Sequence, residues 1–267
     1  MTNETFTPNE LLVLFSKYTP SVVLGFKDPL SGFLADEISE FYLEGLASLT
    51  SRGIAQIDND KKLHISNPFV NWIKTICNPA HSMLVGWQGN GGHEQTAFHF
   101  LDNTIVELRH GQADVQGNYI LRHILSPDEI FDVTFSPFYT GIYIDRDDDV
   151  GHLAFTDLEK IANHVFNNDE NSAKQSLLEN GISEKMASLF LFALKNARIK
   201  YSITSYFDRN GMEKPKSKAF SVISADGDIW LLKPSPKKNF VRLYLSSKTK
   251  VIEEIKSAIP KGGSNDE

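Results

Sequence analysis

Leu11, Leu14, Phe15 and Tyr18 recur at helical spacing behind Thr7-Pro8-Asn9-Glu10, which reads as a capping box with proline at the first helical position. A first helix is expected there. Ile38, Phe41, Tyr42, Leu46 and Leu49 predict a second helix that stops at Arg52-Gly53, where glycine supplies the left-handed C-terminal turn. Asp58-Asn59-Asp60 then turns a short hairpin between residues 54–57 and 63–65, and Asn67-Pro68 starts a third helix with Phe69, Trp72, Ile73 and Ile76 on its apolar side. Helix, hairpin, helix in this order makes a winged-helix-like element.

The period then changes from 3.6 to two. Residues 83–87, 96–101, 104–109 and 118–124 are strand-like runs separated by Gly, Asn and Asp turns, so an antiparallel four-stranded meander is predicted. Ser126-Pro127-Asp128-Glu129 opens another helix, and residues 135–144 read as an extended connector. The acidic stretch Asp145, Asp147, Asp148, Asp149 reads as the boundary, dividing the chain into an N-terminal half, 1–144, and a C-terminal half, 145–267. The second half repeats the plan without the wing. Thr156-Asp157-Leu158-Glu159 is expected to cap a helix, another ends near Gly181, and Ser183 caps a third. Strand-like runs follow at 200–207, 219–224, 228–232 and 240–245, and a last helix at 248–259 is stopped by Pro260.

Three segments support an internal duplication. Asn118-Tyr119-Ile120 with Ser126 lines up with Asn239-Phe240-Val241 and Ser247 at an offset of 121; Asp102-Asn103-Thr104 lines up with Asp226-Gly227-Asp228 at 124, and Gly53-Ile54 with Gly181-Ile182 at 128. The expected fold is therefore α+β, with two pseudo-symmetric halves that each join helices to an antiparallel meander.

Composition adds bounds to this plan. In 267 residues, 41% are hydrophobic and 23% charged, which suits a folded core and excludes disordered, collagenous and coiled-coil classes. The apolar run 11–15 is too short for a secretory or membrane segment, so a cytoplasmic protein without a membrane span is expected. One cysteine, Cys77, forms no internal disulfide and no multi-cysteine metal site. The net charge of −7 is unevenly spread: residues 1–189 hold 12 Lys and Arg against 26 Asp and Glu, while 190–267 hold 15 against 8. That polarity can steer a charged partner toward the C-terminal part, or can reflect basic side chains paired with the acidic half.

Catalytic motifs fail on spacing. His93-Glu94 and His99 do not reproduce the two histidines four apart that a zinc-protease helix needs. Asp145, Asp147 and Asp149 imitate the opening of a calcium loop, but Val150 stands where glycine is required and Thr156 where glutamate is. Gly86, Gly89, Gly91 and Gly92 make no phosphate cradle, and no G-x-S-x-G occurs. No cofactor and no metal is expected. Nucleic acid is not the expected partner either, because the helix that would read a groove offers only Lys74, and Lys61 and Lys62 are opposed by Asp58 and Asp60.

The whole pattern resembles the EspG family of cytosolic chaperones of bacterial type VII (ESX) secretion. The resemblance rests on the helix ending Leu49-Thr50-Ser51-Arg52-Gly53-Ile54, the short hairpin, the helix ending Cys77-Asn78-Pro79, and the meander; in the second half it rests on Phe220-Ser221-Val222, Asp226-Gly227-Asp228-Ile229-Trp230 and the closing helix. It spans about residues 30–260. It implies a non-catalytic chaperone that binds a helical secreted protein or heterodimer, PE/PPE-like or WXG/LXG-like, at an exposed apolar tip. The Lys-, Asn- and Ile-rich composition departs from the Ala-, Arg- and Gly-rich members of that family, so its client-contacting loops transfer only by position.

Such a function needs an apolar, adaptable surface rather than a perturbed acid or base. The expected protein-binding residues are Trp87, Gln88, Asn90 and His93 on the loop 87–93, and Phe207, Arg209 and Met212 on its repeat counterpart 207–216. The alternative at both places is a plain turn with Trp87 and Phe207 closing the core. Two other classes stay open: a winged-helix regulator or nucleic-acid-binding protein, and an enzyme with an unrecognised site.

Overall fold

The computed structural model of this chain describes residues 3–27, 29–30, 32–89, 92–111, 117–139, 141–207 and 216–260. The first half runs β1 (Asn3–Phe6), α1 (Pro8–Ser16), α2 (Ala35–Ser51), β2 (Ala55–Ile57), β3 (Leu63–Ile65) and α3 (Phe69–Cys77). It continues through β4 (His81–Gly89), β5 (Gly92–Leu101), β6 (Thr104–His110), β7 (Tyr119–Ile124), α4 (Pro127–Thr134) and α5 (Ser136–Tyr139). The second half runs β8 (Asp148–Ala154), α6 (Phe155–Phe166), α7 (Glu170–Glu179) and α8 (Glu184–Asn196), then β9 (Ile199–Phe207), β10 (Lys216–Ala225), β11 (Asp228–Pro234), β12 (Phe240–Leu245) and α9 (Lys248–Ala258).

Both meanders join one antiparallel sheet of ten strands, in the order β1-β7-β6-β5-β4-β9-β10-β11-β12-β8. The first strands of the two meanders, β4 and β9, pair with each other at the centre, Ser82 opposite Tyr206 and Gly89 opposite Ile199. Each meander then steps outward in the same order, and each half closes with its own first strand at the sheet edge. The fold is α+β with two pseudo-symmetric halves, as the pattern predicted.

The duplication is visible in backbone hydrogen bonds. Gly53 and Gly181 both take positive φ, 66° and 81°. Behind them Ile54 N–H donates to Leu49 O (2.9 Å) and Ile182 N–H to Leu177 O (3.1 Å), the same helix-terminating turn in each half. Ser126 and Ser247 likewise both cap their helices, accepting from Glu129 N–H and Lys250 N–H.

Strand alternation divides the core between the two faces of the sheet. On one face Met83, Val85, Phe98, Phe100, Tyr201, Ile203, Phe220 and Val222 pack beneath α4, α5 and α9. On the other, α1–α3 cover Ala97, Val106, Leu108 and Leu121, and α6–α8 cover Ile223, Trp230, Leu232, Val241 and Leu243. The helical layers leave the centre of this second face between them.

Residues 3–6, to which the sequence pattern assigned no element, form β1, with Phe6 buried beside Phe69. Three sequence expectations need correction. The acidic stretch read as a boundary is no free linker and runs into strand β8 at Asp148: Asp149 is paired with Arg242 of β12, and Asp147, just before the strand, accepts from Ser247 N–H at 2.9 Å. Those partners hold both carboxyls below the usual aspartate range, Asp147 chiefly through the Ser247 amide and Asp149 through Arg242. The extended connector 135–144 contains α5, since Phe135 and Phe138 must both be buried. Helix α6 begins at Phe155 with Ala154 as N-cap and no side-chain cap, so Thr156 lies inside it.

Candidate functional site

The β4–β9 seam decides where the expected binding loops lie. Because these strands are antiparallel, the β4–β5 end with Trp87 and the β9–β10 end with Phe207 stand at opposite ends of the sheet. Trp87 lies opposite Tyr201, so six residue steps along the seam separate it from Phe207, about 20 Å at 3.3 Å per residue. Trp87 and Phe207 therefore do not form one patch. Trp87 points to the α4–α5 face, half-buried against the core, with its indole N–H buried and without an acceptor. Gln88 and His93 are exposed on the same hairpin, the His93 ring 3.0 Å from Trp87 O. Phe207 is half-buried with its ring centroid 6.1 Å from that of His81. Asn90, Arg209 and Met212 lie outside the described residues.

Between the two loops, the open face of the sheet carries a row of unusually small side chains. Directly opposed residues share a face, so the register places Ser221, Ser202 and Gly86 in one line across β10, β9 and β4, and Ala219, Thr204 and Leu84 in the next. Ser202 is exposed, and Thr204, Ala219, Ser221 and Leu84 are half-buried. Phe155 and Leu158 of α6 rise beside this floor and enclose with it a cleft of about 180 Å³. Phe155 is 49% exposed although it begins a helix whose other side is core.

This floor is open because the duplication is broken at one place. In the first half, the long connection between α1 and α2 folds over β5: Gly25 lies against Ala97, His99 Nε2 is 3.1 Å from Leu24 O, and Lys27 N–H donates to the Tyr119 hydroxyl at 3.0 Å. In the second half, α6 and α7 are joined by residues 167–169 alone. Too short to reach the sheet, that joint leaves β9 and β10 uncovered.

The chemistry that the sequence motifs hinted at is taken up structurally. His99 is fully buried, and with Nε2–H donated to Leu24 O its Nδ1 accepts from the Ser82 hydroxyl at 3.1 Å. Both ring nitrogens are thereby engaged, away from any metal. Among the described residues no three His, Cys, Asp or Glu side chains converge on a metal position. Cys77 is buried, and burial pushes its thiol up to about 12, so it is not a nucleophile at neutral pH. Helix α3, which would have to read DNA, packs on β5 and β6, and of its residues only Asn71 and Lys74 are exposed. No described helix is long and apolar enough to cross a membrane.

What sequence reading missed is the floor, which has no charge and no large side chain to announce it. One signal was available: in the run 200–207 the residues alternating with buried Tyr201 and Ile203 are Ser202 and Thr204, short and uncharged where a solvated face normally carries Lys or Glu.

No protein-family model matches the chain, and no curated protein sequence matches it. Among solved structures, it is similar to the Mycobacterium tuberculosis type VII secretion system chaperone EspG5, whose structure is of a complex with a PE25-PPE41 dimer. The match covers 98% of this chain and 99% of the other, with a TM-score of 0.61 and 11% sequence identity. At that identity the likeness is one of fold, and it is full-length.

Proposed function

We propose that this protein is a non-catalytic chaperone that holds a helical secretion substrate, or a heterodimer of such proteins, in soluble form in the cytoplasm for export by a type VII system. The observation that carries the reading is the uncovered floor on β4, β9 and β10 in a fold that matches a secretion chaperone from end to end. Small side chains let a client backbone approach the sheet closely, while Phe155 and Leu158 offer apolar contact at its side. Trp87 and Phe207 stand at the two ends of the strands that form the floor, where they would meet the ends of a client longer than the cleft.

The long-range field suits such a client if it is acidic. Strands β9 and β10 of the floor lie in the cation-rich stretch 190–267, with 15 Lys and Arg against 8 Asp and Glu, so charge would speed encounter and apolar contact would hold the complex. The regulator reading gains nothing from α3, which offers too few free cations to track a phosphate backbone.

The test is affinity capture from the cell's own cytosol with the native chain and with Ser202→Arg, which places a long charged side chain on the floor at an exposed position. A helical protein recovered by the native chain and lost in the folded variant supports the proposal. Recovery of nucleic acid with a steep salt dependence, or of the same protein by both chains, would overturn it.

A further inference from the structure

On the face of the sheet opposite the floor, the joint between α4 and α5 meets β4, β5 and β6 around a cavity of about 200 Å³. Charged and polar groups line it beside the Trp87 ring: Glu94, Thr96, Glu107 and Arg109 from the sheet, and Ser136 from the start of α5. The strand register sets these residues in adjacent rows. Trp87 stands opposite Glu94, and Val85 opposite Thr96, which in turn stands opposite Arg109. Tyr201 pins the joint above them, its hydroxyl donating to Thr134 O at 3.1 Å.

The polar groups of this cavity are not spent on one another. Glu107 is 4% exposed and accepts from Arg122 Nε at 2.6 Å with one oxygen; its other oxygen is 3.9 Å from Arg109 Nε, too far for a hydrogen bond. Glu94 is half-buried, and its carboxylate has neither a hydrogen bond nor an ion pair among the described residues. Glu94 and Arg109 are diagonal neighbours on one face of β5 and β6, a separation that long side chains can span, yet they do not close into a bridge. The Trp87 indole N–H is buried without an acceptor. Gly89 makes room for that ring, because a Cβ there would lie 2.6 Å from Trp87 Cζ2. Glu94 and Glu107 balance Arg109 and Arg122, so a neutral molecule that carries both signs of charge matches the cavity better than a plain cation or anion.

We propose that this cavity binds a free α-amino acid, because it sets an unpaired carboxylate, a loosely engaged guanidinium and an unpartnered indole donor around one small space. The ligand ammonium meets Glu94, and the ligand carboxylate meets Arg109, whose guanidinium offers parallel N–H donors, with the Trp87 N–H as a further donor. The Thr96 and Ser136 hydroxyls stand by as donors or acceptors for a polar side chain. The volume is below the roughly 300–1,000 Å³ of sites for drug-sized ligands, which restricts the occupant to a small molecule. This site lies on the other face of the sheet from the floor and does not depend on the client reading.

The experiment titrates the common L-amino acids into the full chain up to millimolar concentration, with binding read by calorimetry and by tryptophan fluorescence. The proposal expects at least one of them to bind one-to-one. The N-acetyl and carboxamide derivatives of that amino acid, each lacking one charge, should bind the native chain about tenfold more weakly or worse. Glu94→Gln and Arg109→Gln alter side chains that are not part of the core, and circular dichroism checks that both variants fold. Each should weaken binding of the free amino acid by about tenfold or more. Glu94→Gln should also abolish the discrimination against the N-acetyl form, and Arg109→Gln that against the carboxamide. No amino acid bound at millimolar concentration, equal binding of free and blocked forms by the native chain, or affinity unchanged in both variants would each overturn the proposal. Ser202→Arg should leave amino-acid binding unchanged, and its loss there would place the ligand on the floor instead.

Discussion

Gly53 and Gly181 occupy equivalent left-handed turns, and a Cβ at either would meet nothing within 4 Å. The cost of alanine at each is then the backbone conformation alone, about 1 kcal/mol. Gly53→Ala and Gly181→Ala should lower stability by similar amounts in urea unfolding, and a marked difference between them would argue against equivalent turns. Glu254 illustrates a different residue effect. Burial would raise its pKa, but Lys218 and Lys233, both 2.7 Å away, more than offset that, and the group lies below the ordinary glutamate value of 4.5. A carboxyl with a depressed folded pKa contributes stability that is in full above the unfolded value and is lost as pH falls through the folded one. Native chain and Glu254→Gln should therefore differ at pH 7, by about 1 kcal/mol or less because the lysines are partly exposed. The difference should vanish in acid below the folded pKa, and one that persists there would contradict the assignment.

Among elements, the joining of β1, α1 and α2 depends on one buried acid. Glu10 is 1% exposed and accepts from Thr7 N–H (2.8 Å), the Ser48 hydroxyl (2.7 Å) and Arg52 Nη1 (2.6 Å), while Arg52 also reaches Glu4 and Thr5 O on β1. Removing the cation leaves a carboxylate buried without its charge partner, a loss of about 3 kcal/mol. Arg52→Leu should show that loss in urea unfolding together with faster hydrogen exchange in β1. Unchanged stability would mean that the hydroxyl and amide donors suffice.

Much of this organisation was legible because helix ends and strand turns leave local marks. Thr7 caps α1 with Glu10 answering it, Gly53 and Gly181 stop their helices, and Ser183 and Ser247 start theirs, each on the residue that the pattern indicated. The edge strands were not legible. β1 has four residues and one buried side chain, and Asp147 just before β8 and Asp149 within it have partners, Ser247 and Arg242, more than ninety residues away in the chain. Nor could local pattern show that β4 pairs with β9, or that Trp87 and Phe207, equivalent by repeat, would stand at opposite ends of one seam. The sheet floor was hidden for a further reason: Ser202, Thr204, Ala219 and Ser221 become a surface only when three strands lie side by side.

At the level of the whole molecule, a near-symmetric frame acquires its functional asymmetry from one connection. The span between α1 and α2 covers β5 in the first half, while the short joint between α6 and α7 leaves β9 and β10 open in the second. Occupancy of the floor can be read directly, because the single native cysteine is buried and its thiol is pushed up to about 12. Ser202→Cys therefore introduces the one reactive thiol, at the centre of the floor, and Asn103→Cys places a comparator on the exposed β5–β6 turn. Alkylation rates are measured for the free chain and for the complex recovered from cytosol. Client binding on the floor predicts that the Ser202→Cys thiol is slowed about tenfold or more in the complex while the Asn103→Cys thiol reacts as before; equal rates at Ser202→Cys with and without the client would contradict it.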